Sequence, residues 1–166
     1  MVIFVQTLEK SLFLHKKIIM IQRIQTVYLF VSALLLGLLY LLPFAEIAKE
    51  GAIYTFNFKG ILLDGAVQQS GLVISVLISI IMALHGFAIS SFKNRKRQKM
   101  IVIYTILMMV GLFGLFIFFT YLSFSGAQIN LKISVVLPLL AIVVDYLAIR
   151  AIDKDEALIR SIDRIR

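Results

Sequence analysis

Four long apolar runs, separated by polar segments, dominate the pattern of this chain. They span about residues 24–42, 67–91, 100–123 and 133–150. A helix rises about 1.5 Å per residue, so each run is long enough to cross the ~30 Å hydrocarbon core of a bilayer. The pattern predicts an all-α membrane protein: one domain over residues 20–166, built as a four-helix transmembrane bundle.

The two ends of the chain show amphipathic patterns outside these runs. Residues 151–166 carry an apolar stripe at helical spacing and predict a cytoplasmic C-terminal helix. Residues 1–19 are interpreted as an N-terminal extension, either an amphipathic helix lying in the membrane interface or a stretch upstream of a native start at Met20. The residues alone leave both alternatives open.

A short segment after the first run alternates with period two instead. Residues 53–58 are β-branched and aromatic, and Asp64-Gly65 forms a turn signal. A strand does not stand alone in water, so it needs a partner, for which residues 128–132 are the candidate. We therefore expect a small extracytoplasmic β element on the outer face.

Composition and charge support a membrane protein and set its orientation. Hydrophobic residues make up 61% of the chain, against about 45–50% in soluble domains. Only three of the 17 Lys and Arg residues fall in the predicted outer segments, namely Lys49, Lys59 and Lys132. Cations are retained on the cytoplasmic side, which places both termini in the cytoplasm. Since the charge follows topology, nucleic acid is not an expected partner.

Two ionisable residues lie inside the predicted spans, where such residues are rare. His85 and Asp145 both fall ~7–9 Å below the inner interface on the helical rise, so a His–Asp pair is geometrically allowed. A site for protons or a polar substrate is one interpretation. The others are a hydrogen-bonded clamp between helices and an Asp145 side chain that reaches the lipid headgroups. The last two are favoured, because ionisable residues this close to the interface cost little and need no function to explain them.

The cytoplasmic cations form a second candidate site, which contacts either anionic lipid or a partner protein. Its members are Arg95, Lys96, Arg97, Arg160, Arg164 and Arg166. The chain has no cysteine, no Gly-rich phosphate loop and no metalloprotease motif. We therefore predict a protein that is not an enzyme and that holds no cofactor and no metal.

Two end motifs resemble a known family. MIQRIQTVYLF, from Met20, and KDEALIRSIDRIR, from Lys154, are similar to the domain-of-unknown-function 4293 family, uncharacterised four-span inner-membrane proteins of Bacteroidota. The resemblance covers Met20 to Arg166 and implies a multi-pass protein of the bacterial inner membrane. It supports Met20 as the family-type start, and it implies no activity, cofactor or catalytic residue.

The sequence supports two functional hypotheses from different classes. The first is a non-catalytic accessory or scaffold subunit of a larger membrane complex, with protein export as one candidate host. The alternative is a small proton-coupled or polar-solute transporter that uses His85 and Asp145, with a homo-oligomer as one form of assembly. A single copy has too little polar lining for a pore.

Overall fold

The computed structural model describes residues 24–122 and 126–163, with side chains described as far as Ala157 except that of Leu122. The predicted extension 1–19 and the start at Met20 lie outside the described residues. Four helices are present: α1 over Ile24–Tyr40, α2 over Leu72–Ser90, α3 over Arg95–Ile117 and α4 over Leu137–Asp163.

The helix ends follow local chemistry. Asn94 caps α3, because its side-chain oxygen accepts a hydrogen bond from the Arg97 amide at 3.1 Å. The basic segment therefore forms the first turns of α3 rather than an open loop. Pro138 is the second residue of α4, where its missing amide hydrogen costs little. The helix then continues without a break as far as Asp163, so the described part of the predicted C-terminal helix is a continuation of α4.

Five strands form one antiparallel sheet in the order β4-β3-β2-β1-β5. The strands are β1 (Ala45–Lys49), β2 (Ala52–Asn57), β3 (Gly60–Leu63), β4 (Ala66–Ser70) and β5 (Gln128–Leu131). The first four form a meander between α1 and α2. β5 comes from the connection between α3 and α4 and pairs with β1, with Ile47 opposite Ile129.

The predicted all-α fold class is therefore wrong, because the protein combines four helices with a five-stranded sheet. Two-residue turns build most of the meander: Glu50-Gly51 and Asp64-Gly65 all have positive φ, as hairpin turns of this length require. Residues 66–70 form β4, although their apolar and polar mixture looked like the start of the second span. The helix itself begins at Leu72.

Aromatic packing attaches the sheet to one end of the helices. Phe44 and Phe56, on the inner side of the sheet, meet Phe116 and Phe119 from the end of α3. The Phe44 and Phe116 rings are 4.4 Å apart between centroids, and Phe56 stacks on Phe119 at 5.8 Å. We call this end of the bundle the sheet end. The opposite end, where α2 joins α3, is called the basic end.

Three helical stretches are long and apolar enough to cross a membrane: Leu72–Ser90, Arg95–Tyr121 and Ile133–Ala157. Only 28–33% of the residues in their apolar windows are buried inside the protein. Their outer faces are thus apolar. Such faces are suited to contact with lipid and are unfavourable in contact with water. Within the described residues α1 is apolar but shorter, so the fourth span stays a prediction.

Candidate functional site

His85 and Asp145 contact each other in the centre of the helix bundle. The Nε2 atom of His85 lies 3.1 Å and 3.2 Å from the two carboxylate oxygens of Asp145. Neither side chain has any exposed surface. Two titratable residues that the sequence placed only at a shared depth are therefore in direct hydrogen-bond contact.

The contact extends to all four helices. Ser32 of α1 places its Oγ 3.0 Å from His85 Nε2, and Thr105 of α3 places its Oγ1 3.2 Å from Asp145 Oδ2. Both hydroxyl residues are fully buried. We call Ser32, His85, Thr105 and Asp145 the central polar network. One residue from each helix meets there, so the network fixes the helices relative to one another.

The geometry constrains the protons of this network. His85 Nδ1 lies 2.9 Å from the Ile81 carbonyl oxygen, which only accepts, so Nδ1 carries a hydrogen. Nε2 faces carboxylate oxygens, and a close contact there needs a hydrogen between nitrogen and oxygen. The hydrogen bond between His85 Nε2 and Asp145 therefore requires one further proton between these atoms. Moving that proton between the two partners leaves the total charge of the pair unchanged.

Helical periodicity explains why these residues point inward. The buried positions of α2 are Ile74, Ile78, Ile81, His85 and Ala88, which recur every three or four residues. Ser32 and Thr105 occupy the corresponding stripes of their helices, between buried Leu29 and Leu36 and between Val102 and Met109. Sequence reasoning did not single out these two hydroxyls. Their position on the buried stripe of each helix was the available signal. A single Ser or Thr in an apolar helix is common, so this signal is weak.

A second polar group lies at the basic end. Asp155 of α4 is fully buried, and its Oδ2 accepts a hydrogen bond from Arg95 Nε at 2.6 Å. Gln25 of α1 donates from Nε2 to the Ala151 carbonyl oxygen at 3.3 Å and lies 3.5 Å from Asp155 Oδ2. Arg95 was predicted to contact lipid or a partner protein. In the structure its Nε instead binds a buried carboxylate within the chain.

The other predicted surface cations have different surroundings. Lys96 is exposed, and the Arg97 guanidinium lies over the Phe87 ring at 5.5 Å from its centroid. The side chain of Arg160 and the whole of Arg164 and Arg166 lie outside the described residues. Lys99 binds Asp153 at 2.6 Å on the surface. Of the predicted set, Lys96 and Arg97 remain available for contacts outside the chain.

Replacing Arg95 by alanine is expected to lower the free energy of unfolding by about 1–3 kcal/mol, because the buried Asp155 loses its charged hydrogen-bond donor. Unfolding in mixed detergent micelles measures this value. Lys96→Ala is the matched control, since Lys96 is the next residue on the same helix and is exposed. Equal stability of the two variants would show that the ion pair contributes nothing.

No group of three or more His, Asp or Glu side chains suited to a metal ion occurs among the described residues. The central polar network brings together one imidazole, one carboxyl and two hydroxyl groups. Chemically this set can hold and exchange a proton.

The apolar outer faces of the helices and the buried network between them define a membrane protein, with a helix bundle capped by a small antiparallel sheet. The chain belongs to the family described as domain of unknown function (DUF4293), whose model matches residues 21–165. This confirms the family resemblance read from the two end motifs. No curated protein and no solved structure matches the chain.

Proposed function

We propose that this protein is a non-catalytic accessory or scaffold subunit of a larger complex in a bacterial inner membrane, with four spans and both termini in the cytoplasm. A protein-export assembly is a candidate host. The cations of Lys93 and of the first turns of α3 support this orientation, because segments rich in Lys and Arg stay on the cytoplasmic side.

One observation carries the proposal: the central polar network is closed. Each buried side-chain nitrogen and oxygen of its four residues has a partner within the described part of the chain. None of the four side chains reaches the surface. A substrate would have to displace these contacts, whereas a scaffold needs them to hold its helices in place.

The same contact also favours a second candidate, the proton-coupled or polar-solute transporter. His85 and Asp145 lie within hydrogen-bond distance of each other, and a proton-coupled carrier needs such a contact to pass a proton. Because neither side chain of the pair is exposed in this conformation, we place the transporter below the scaffold. A carrier would require a further conformation in which the pair meets its solute.

Purification in mild detergent with identification of bound proteins tests the scaffold. We expect one membrane protein to be recovered at a fixed ratio. Combined Lys96→Gln and Arg97→Gln should lower its recovery about tenfold, which corresponds to roughly 1.4 kcal/mol of binding. Lys59→Gln, at the sheet end, is the matched control and should leave recovery unchanged.

Two results would argue against a scaffold role. One is a homo-oligomer without any other protein bound. The other is pH-sensitive solute uptake by vesicles that contain only this protein, lost in His85→Gln. The second result would establish the transporter instead.

A further inference from the structure

Four polar atoms at the basic end are buried and have no hydrogen-bond partner among the residues that the structure describes. They are Ser91 Oγ, the Nε2 and Oε1 atoms of Gln98, and Asp155 Oδ1. Ser91 is 2% exposed, and Gln98 and Asp155 are fully buried. Buried polar groups in native proteins are almost always paired, with protein or with ordered water. These atoms therefore need an occupant that can both donate and accept hydrogen bonds.

The unpaired atoms come from three separate parts of the chain near the basic end. Ser91 directly follows α2, and its carbonyl oxygen accepts from the amide of Asn94, the cap of α3, at 2.9 Å. Gln98 follows Arg95 by three residues on α3, and Arg95 binds Asp155. Gln25 adds a polar side chain from α1. We call Gln25, Ser91, Gln98 and Asp155 the basic-end layer.

On α2 and α3 a single apolar layer separates Ser91 and Gln98 from the central polar network, and on α4 buried Ile152 also lies between Asp145 and Asp155. On α2 the three levels are His85, Ala88 and Ser91, each three residues apart, or about 4.5 Å along the helix. The intervening layer is a single cluster with two alanines and no aromatic ring among its fully packed members: Leu29, Ala88, Ile101, Val102 and Ala148.

The barrier toward the sheet end is much thicker. Buried Met109, Leu112 and Phe116 follow Thr105 along α3, and the phenylalanines beneath the sheet come after them. The polar side chains described on that side already have partners: Tyr40 pairs with Ser79, and Thr120 and Ser134 donate to backbone carbonyl oxygens. The two sides of the His85–Asp145 pair are therefore unequal in thickness and in polarity.

We propose that the basic-end layer binds a cluster of water molecules, and that this water reaches the His85–Asp145 pair from the basic end and not from the sheet end. The pair would then exchange its proton with one side of the membrane only. The inference does not depend on the scaffold role, because a scaffold and a transporter could both contain such a layer.

Water fits this site better than a metal cation does. The Arg95 guanidinium already lies 2.6 Å from Asp155, so a cation there would meet a fixed positive charge. Gln98 presents an amide donor as well as an oxygen, and a cation cannot satisfy the donor. A water molecule donates and accepts, and it satisfies both atoms of one amide in a small cluster.

Hydrogen–deuterium exchange of single thiols tests the proposal with D₂O itself as the probe. The chain contains no cysteine, so one introduced thiol gives the only S–H stretching band in the infrared spectrum. In the full-length protein in lipid vesicles, Ser91→Cys and Gln98→Cys should exchange at least about tenfold faster than Ile78→Cys, which needs local opening to meet water. Ile78 lies two turns from His85 toward the sheet end and is fully buried.

Ser32→Cys reports whether water reaches the central polar network, and it should also exchange faster than Ile78→Cys. Adding Ala88→Leu should fill the thin layer and slow exchange at Ser32→Cys to the rate of Ile78→Cys. Exchange at Ser91→Cys should stay fast in that background. Unchanged rates at Ser91→Cys and Ile78→Cys also show that the Ala88→Leu protein remains folded.

Three outcomes would overturn the proposal. Slow exchange at both Ser91→Cys and Gln98→Cys would show that no water cluster is bound there. Slow exchange at Ser32→Cys alone would show that water does not reach the pair. Exchange at Ile78→Cys as fast as at Ser32→Cys would show that access is not limited to the basic end.

Discussion

Replacing Asp145 by alanine is expected to lower the free energy of unfolding by about 3–5 kcal/mol, because the His85 ring would stay buried without its carboxylate partner. A hydrogen bond between membrane helices averages only about 0.6 kcal/mol, so the loss should clearly exceed that of an ordinary contact. Unfolding in mixed micelles, followed by circular dichroism, measures the difference. His85→Ala should show a loss of similar size.

Asp153→Ala provides the matched control for Asp145→Ala. Asp153 is on the same helix and also pairs with a basic residue, Lys99, but both partners are more than a third exposed. A surface ion pair contributes about 0–1 kcal/mol. The double variant His85→Ala/Asp145→Ala should lose less than the sum of the single variants, since they remove the same contact. Additive losses would mean that the two residues act independently.

Replacing Gly60 by alanine is the second change with a large expected effect, about 2–6 kcal/mol of stability lost. Gly60 has φ +119°, a conformation that L residues rarely adopt, and strain of this kind costs about 1–3 kcal/mol. A Cβ atom there would also lie less than 3.0 Å from the backbone of Gln69 and Gly71. Forcing that backbone apart adds about 1–3 kcal/mol. Thermal unfolding in micelles measures the loss.

Gly65→Ala separates the contact from the conformation. Gly65 also has positive φ, at +82°, but a Cβ atom there meets nothing within 4 Å. We expect it to cost only about 1–2 kcal/mol, the usual penalty for a left-handed L residue. If the two alanine variants were equally stable, the close approach of β3 to the start of α2 would be energetically irrelevant.

The sequence predicts the helices well because lipid imposes a simple rule on them. A run of about 20 apolar residues has little choice but to form a spanning helix. Within the described residues, the predicted second span overlaps α2, and the third overlaps the helical stretch Arg95–Tyr121. The same rule carries no information about segments outside the hydrocarbon.

The sheet was only partly predictable for that reason. The alternation in residues 53–58 is strong because Phe56 faces the core and Ile53 faces away. β1 is short and rich in alanine, and β4 has a polar surface that resembles a helix start. Their strand conformation depends on pairing with neighbours, which a local pattern does not contain.

The candidate site was predictable in depth but not in its contacts. Counting residues from the inner interface brought His85 and Asp145 to the same level. Which residues meet also depends on the rotation of each helix about its axis, and this rotation brings Ser32 and Thr105 into contact with the pair. Arg95 and Asp155 could not be paired from the sequence, because the basic segment looked like a loop rather than the first turn of α3.

The pairing of β5 with β1 has a consequence for biosynthesis. β1 lies between the first two helices and β5 between the last two, so their hydrogen bonds join distant parts of the chain. During synthesis, β1 must wait with one edge unpaired until α3 has been inserted and β5 has emerged. We therefore expect the five-stranded sheet to be completed late, after α3 has been inserted into the membrane. Until then, a chaperone or a neighbouring strand can pair with the free edge of β1.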